Sequence, residues 1–324
     1  MQAGLMGGIL WALDTVILGI ALSKAPFLST EKAILLAPFI STFLHDSISS
    51  LFMLLYMGAK KQFSNIIKAL KTKSGKLIML GAILGGPIGM TGYVSAIKYI
   101  GPSYTAAISA IYPAIGAFLA FAFLKEKMEW YQICGLLVSI SGVMLLGYSK
   151  TSEVPANFTL GIFCALICVL GWGLEAVICA YAMKKSDINN EQALQIRQVT
   201  SAIVYGAIII PLLKGLSVTV SVISDKTMLI IMAAGLCGTL SYLCYYKAIN
   251  KIGASKAMAL NITYSAWSIL FSLIFLGTLP NAKGISCGIL IITGSLLSAY
   301  KIKEKITINI PLEELSLEDV PFED

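Results

Sequence analysis

The chain has 324 residues, of which 57% are hydrophobic and only 13% charged, with a formal net charge of +7 and a mean hydropathy of +0.83. That balance excludes a water-soluble surface and describes an integral membrane protein. Ten apolar windows approach the roughly 20 residues that a helix needs to span a bilayer.

The first window, 3–23, carries Trp11 and Asp14 in the hexad WALDTV and has no basic leader ahead of it, so no cleavable signal is expected. The second, 33–58, holds His45 and Asp46. Histidine titrates near neutrality, which makes His45 a proton-relay candidate; a hydrogen-bonded packing role is the simpler alternative. In the third, 76–99, the stretch GGPIGM from Gly85 to Met90 is expected to break the helix at mid-membrane through Gly85, Gly86, Pro87 and Gly89. Irregular backbone at that depth belongs beside protein or a water-filled cavity, and close packing of small residues is the competing explanation. Tyr93 lies in this window and Tyr112 in the fourth, 103–124, which the fifth, 131–148, follows.

The sixth window, 159–183, repeats the opening hexad as WGLEAV, with Trp172 and Glu175. The seventh, 191–213, contains Arg197, the only arginine in the chain. Arginine cannot release its proton and must be paired when buried; Glu175, Asp46 and backbone carbonyls are the available partners, and the role is structural or gating. Tyr242, Tyr245 and Tyr246 sit in the eighth, 227–249, where GLCGTLSY from Gly235 to Tyr242 is a weaker expected break. Tyr264 and Trp267 sit in the ninth, 255–277, and the tenth is 284–300. The chain from Lys301 holds three lysines and then six acids in the last twelve residues, and is expected to be a solvated tail.

The hexads are part of a longer repeat. At an offset of 152, YVSAIKYIGPS (Tyr93 to Ser103) lies over YYKAINKIGAS (Tyr245 to Ser255), and SAIYPA (Ser109 to Ala114) over NITYSA (Asn261 to Ala266). The same offset sets His45 and Asp46 against Arg197 and Gln198. Several segments aligning in order indicate duplication rather than shared apolar composition. Since each copy has five helices, the second enters the membrane upside down. The expected fold is therefore all-α, with ten transmembrane helices in an inverted five-plus-five repeat. Residues 1–150 form the first repeat, 151–300 the second, and 301–324 a charged tail. Such repeats characterise alternating-access transporters, which bind substrate near the midplane where the copies meet.

Loops taken alternately hold sixteen lysines on the side of the termini and seven on the other, which places both termini in the cytoplasm. Topology thus accounts for the positive charge, and nucleic acid is not an expected partner. Seven cysteines fall in or beside helices without a C-x-x-C, so neither disulfides nor a metal site is expected. No H-E-x-x-H, G-x-S-x-G or Cys–His arrangement suggests an enzyme, and no cofactor is implied.

Asp14 and Glu175 each lie roughly 13–15 Å from a membrane face at 1.5 Å per helical residue. A carboxylate at that depth must face a polar cavity or a partner, or be protonated. The spacing Trp-x-x-acid puts an aromatic ring and a carboxyl on one helix face, which suits a desolvated cation, above all a quaternary ammonium that cannot donate hydrogen bonds. Helix packing explains either tryptophan alone, and a structural pair with Arg197 explains Glu175. Tyr93 and Tyr245, and likewise Tyr112 and Tyr264, are repeat-related, and with Tyr242, Tyr246 and Trp267 on the same helices they are further cage candidates. Tyr99, Tyr104, Trp130 and Tyr300 near window ends fit an interfacial belt.

Together GGPIGM, AIKYIGPS, SAIYPAI, WGLEAV, IRQVTS and LNITYSAW resemble the LicB-type choline-uptake permeases, within the EamA branch of the drug/metabolite transporter superfamily. The resemblance implies an aromatic cage for choline, proton-coupled uptake, and residence in a lipid bilayer, expected to be a bacterial plasma membrane. It assigns Trp11, Trp172 and Glu175 to substrate, with Tyr245, Tyr264 and Trp267 as further walls. Asp14 departs from the pattern: it is a second cation contact, a proton site, or the partner of a loop lysine. Asp14, His45, Asp46, Glu175 and Arg197 are the candidates for proton coupling or gating, with the coupling proton expected on Asp14 or on Glu175, where it would compete with the cation. An exporter of amino acids, purines or other metabolites on the same fold is the alternative, because fold fixes neither substrate nor direction.

Overall fold

A computed structural model describes residues 1–148 and 157–300. Among them are ten helices long and apolar enough to cross a membrane: α1 (Gln2–Leu22), α2 (Glu31–Ala59), α3 (Lys73–Gly101), α4 (Tyr104–Leu124), α5 (Trp130–Gly147), α6 (Phe158–Lys184), α7 (Asn190–Leu212), α8 (Thr227–Ile252), α9 (Ala254–Leu276) and α10 (Ala282–Ala299). In hydrocarbon only helices and closed barrels satisfy their own backbone groups, so apolar runs of this length have one outcome. Where the chain leaves that environment, side chains close the helix ends. Thr30 accepts the Ala33 N–H at 3.0 Å, and Asn189 and Gln192 cap each other's backbone at 2.9 and 3.1 Å. The expected boundary between residues 150 and 151 and the tail 301–324 lie outside the described residues.

The two halves interleave. α1 packs on α8 and α6 on α3, the same contact made twice; α2 lies on α7, α4 on α9 and α5 on α10. Small residues allow the closest approaches. A Cβ on Gly135 would lie 2.6 Å from the Gly294 carbonyl oxygen, and one on Gly294 would lie 2.6 Å from that of Gly135; beside them the Ser139 and Ser295 hydroxyls meet at 2.9 Å. The repeat also shows in the backbone. Gly101 (φ +78°) and Gly253 (φ +89°), 152 positions apart, turn the chain from α3 to α4 and from α8 to α9 in a region that a side chain disfavours.

The expected helix breaks are not breaks. GGPIGM forms one widened π-helical turn, Leu84–Ile88, and α3 continues through it. Pro87 lacks an N–H and its ring crowds the preceding turn, which the wider turn relieves without unwinding the helix. Residues 235–242 are regular helix inside α8. What the glycines of α3 supply is proximity: a Cβ on Gly85 would collide with the Glu175 carboxylate, and one on Gly86 would lie 2.8 Å from the Ser201 hydroxyl.

Candidate substrate cavity and charge cluster

α1, α3, α6 and α8, backed by α2, α4, α7 and α9, surround a cavity of about 530 Å³, within the range usual for small-molecule sites. Its walls reach Leu22, the last residue of α1, on the face away from the termini. Toward the termini it ends at Ala176, Tyr246 and Ile249. Below these, Met53, Met57, Cys179, Met183 and Met258 belong to a continuous buried cluster. The cavity is thus closed on the terminal side and extends toward the other.

Aromatic rings form much of its wall. The Trp172 ring lies 5.5 Å from that of Tyr93 and 5.6 Å from that of Tyr112, nearly perpendicular to the latter. Trp11 meets Tyr242 edge-on at 5.0 Å, and Tyr245 and Tyr264 also line the space. These rings come from α1, α3, α4, α6, α8 and α9, so neither half of the chain holds the wall alone. Trp267, expected among them, does not line the cavity. The helical run is interrupted at Ile262–Thr263 between Ala254–Asn261 and Tyr264–Leu276; Tyr264, next to that interruption, lines the cavity and Trp267 does not.

A cluster of five ionisable side chains occupies the same space. Arg197 is buried at 4% exposure. Its Nε donates to Glu175 Oε1 at 2.9 Å and its Nη1 to Asp46 Oδ2 at 3.0 Å and Gln198 Oε1 at 2.7 Å. The guanidinium also lies 4.6 Å from the centre of the Tyr242 ring. Tyr246 donates to Glu175 Oε1 at 3.2 Å, and Ser201 to Asp46 Oδ2 at 2.6 Å. Glu175 therefore faces the cavity with its charge already engaged by Arg197, the structural pairing weighed from the sequence. His45 Nδ1 lies 3.1 Å from Asp46 Oδ1, and its Nε2 lies 3.4 Å from Asp14 Oδ2. Asp14 is thus met by a buried histidine and not by a loop lysine. Both residues are buried, yet Asp14 Oδ1 and His45 Nε2 have no hydrogen-bond partner among the described residues.

Gly85 and Gly86 border the cavity; Pro87 and Gly89 do not, although a Cβ on Gly89 would come within 3.2 Å of the Trp172 ring. Sequence reasoning gave no site role to Ser201 or to Asn261, whose amide donates to the Tyr112 hydroxyl at 3.3 Å. For Ser201 a signal existed: it lies four residues after Arg197, hence on the same helix face. No group of three or more His, Cys, Asp or Glu side chains suited to a metal occurs among the described residues.

Ten interleaved helices from two inverted copies, enclosing a mid-membrane cavity with buried charges, define a multi-pass membrane transporter. The chain belongs to the EamA-like transporter family, whose sequence pattern matches residues 1–148 and 159–300. It is 38% identical over 191 residues to Protein LicB of Haemophilus influenzae, an alignment covering 59% of this chain and 63% of that protein. It is also 21% identical over 246 residues to the uncharacterized transporter YoaV of Bacillus subtilis, covering 74% of this chain and 80% of that one. A solved crystal structure superposes with a TM-score of 0.68 at 15% identity, covering 92% of this chain and 97% of its own; at that identity the likeness is one of fold.

Proposed function

We infer that the protein imports choline or a closely related quaternary ammonium compound by alternating access, driven by protons. The observation that carries this reading is one cavity with both aromatic walls and surplus negative charge. When ionised, Asp14, Asp46 and Glu175 face only Arg197 and His45. Their sum is −2 with neutral His45 and −1 with the histidine protonated, so a monovalent cation is electrostatically favoured in either state. A quaternary ammonium gains little from hydrogen-bond acceptors but gains from ring faces, worth up to about 2 kcal/mol when desolvated; Trp172, Tyr93, Tyr112 and Tyr242 offer such rings.

The lysine distribution supports cytoplasmic termini, and with that orientation the cavity extends toward the outside, the side from which an importer loads. Radiolabelled choline uptake into proteoliposomes under an imposed pH gradient tests the reading. Accumulation above the external concentration is expected. Release of preloaded amino acids or purines with no binding of choline would replace it with the exporter reading.

A further inference from the structure

The two halves carry the same acid–base arrangement. Asp14 and Glu175 hold equivalent places in WALDTV and WGLEAV, and His45 and Arg197 are 152 residues apart, as are Gly86 and Gly238. The glycines are spatially equivalent too. A Cβ on Gly238 would collide with His45 Nε2, and one on Gly86 would crowd Ser201 and approach the Arg197 guanidinium to 3.9 Å. The bases differ in kind. Arg197 keeps its proton under all physiological conditions, and it has hydrogen-bonded partners at Nε and Nη1. Histidine exchanges its proton near neutrality, and here the facing atoms of the pair, His45 Nε2 and Asp14 Oδ2, stand 3.4 Å apart. His45 Nε2 and Asp14 Oδ1 are buried with no hydrogen-bond partner among the described residues. Both residues border the cavity, so a proton has a route to them.

We propose that the Asp14–His45 pair is the binding site of the proton that drives transport, while the repeat-related Glu175–Arg197 pair is its fixed-charge counterpart and does not exchange protons during the cycle. This deepens the cation-import reading and rests on it. One proton enters from the cavity and is shared by Asp14 and His45, raising the charge of the cluster from −2 to −1 without occupying the aromatic wall. Proton and cation are therefore held at once, at separate places. Asp46 links the two pairs, because Oδ1 lies 3.1 Å from His45 Nδ1 while Oδ2 accepts from Arg197 at 3.0 Å. The other groups facing the pair are Cys237 and Tyr242 on α8, with Glu175 beyond Tyr242; none of these carries a positive charge that would expel a proton.

The test compares Asp14→Asn and His45→Gln with the wild type, with Asp14→Glu as the conservative control. Proteoliposomes report choline binding, choline counterflow and pH-driven accumulation, and a pH step on the purified protein reports proton uptake. Both neutral variants are expected to retain choline binding and counterflow, since the cluster with neutral His45 still carries −1 in Asp14→Asn and −2 in His45→Gln. Both should be weakened in Asp14→Asn, because one of the three carboxylates that favour the cation is gone. Accumulation under a pH gradient should be lost, and each variant should take up one proton fewer per chain; Asp14→Glu should restore both. Full pH-driven accumulation in a folded Asp14→Asn would overturn the proposal, as would loss of choline binding in both folded variants, which would place the pair in the cation site. Should the wild type bind no choline, the import reading fails, and the proton count still decides whether this pair exchanges a proton.

Discussion

The two acid–base pairs began as copies of one arrangement and now differ in nearly every physical respect. Glu175–Arg197 is short at 2.9 Å and tied to Asp46, Gln198 and Tyr246. Asp14–His45 is long at 3.4 Å, its facing atoms lacking hydrogen-bond geometry. A buried ion pair gives little net stability against an apolar replacement, but removing one partner strands the other's charge. The first pair is therefore a rigid element whose loss is costly. The second is loosely bound and free to change its protonation. Duplication supplies two symmetric places, and the different residues at them, Asp14 with His45 and Glu175 with Arg197, give them different physics.

The largest effect should come from breaking the rigid pair. Arg197→Gln leaves Glu175 and Asp46 as buried carboxylates without a cation, a cost of about 3–5 kcal/mol, to be read as a large fall in the thermal midpoint in detergent. His45→Gln removes the weak contact with Asp14 and the 3.1 Å contact with Asp46 but leaves Arg197 paired with both Asp46 and Glu175, and should shift the midpoint far less. Equal losses would erase the distinction between the pairs.

Next is the charge at the cage. Glu175→Gln keeps the shape while deleting one carboxylate and unbalancing Arg197, so choline binding should be lost or strongly weakened in a folded variant, measured by equilibrium binding. Retained affinity would show that Glu175 serves only Arg197. The glycines sharpen the same contrast. Gly85→Ala drives a methyl into the Glu175 carboxylate and should weaken cation binding; Gly238→Ala drives one into His45 and should act chiefly on pH-driven accumulation.

Aromatic truncations should be milder. Trp172→Ala removes a ring wall worth up to about 2 kcal/mol, or roughly 30-fold in choline affinity; unchanged affinity in a folded variant would reduce Trp172 to packing. Trp267→Phe, off the cavity, should leave affinity within about twofold, the scatter expected of substitutions remote from a site. A tenfold loss there would mean that α9 rotates during the cycle and brings position 267 to the substrate.

By itself the sequence determined the number of helices, their lengths and their order, because a bilayer leaves a long apolar run no other way to satisfy its backbone. It also determined the duplication, since offsets of 152 and 161 survive in residues such as Trp11 and Trp172, or Gly101 and Gly253, that both copies still need. Family resemblance and buried acids were enough to name the aromatic and charged side chains of the cavity wall, but not its aliphatic and small polar ones such as Leu18, Thr42 and Val94. Only the tertiary structure decided which face of each helix turns inward. A helix that is apolar all round carries no amphipathic signal to fix its rotation, so Trp267 and Tyr264 look equally suited to a cage until packing turns one away. For the same reason GGPIGM reads as a break until the neighbouring α6 shows that it serves close approach. The pairings were likewise decided in three dimensions. Arg197 had three candidate partners in the sequence and takes two of them, Glu175 and Asp46, while Asp14 meets a histidine 31 positions away, because the position of α2 against α1 is set by every helix packed around them and not by the residues of either.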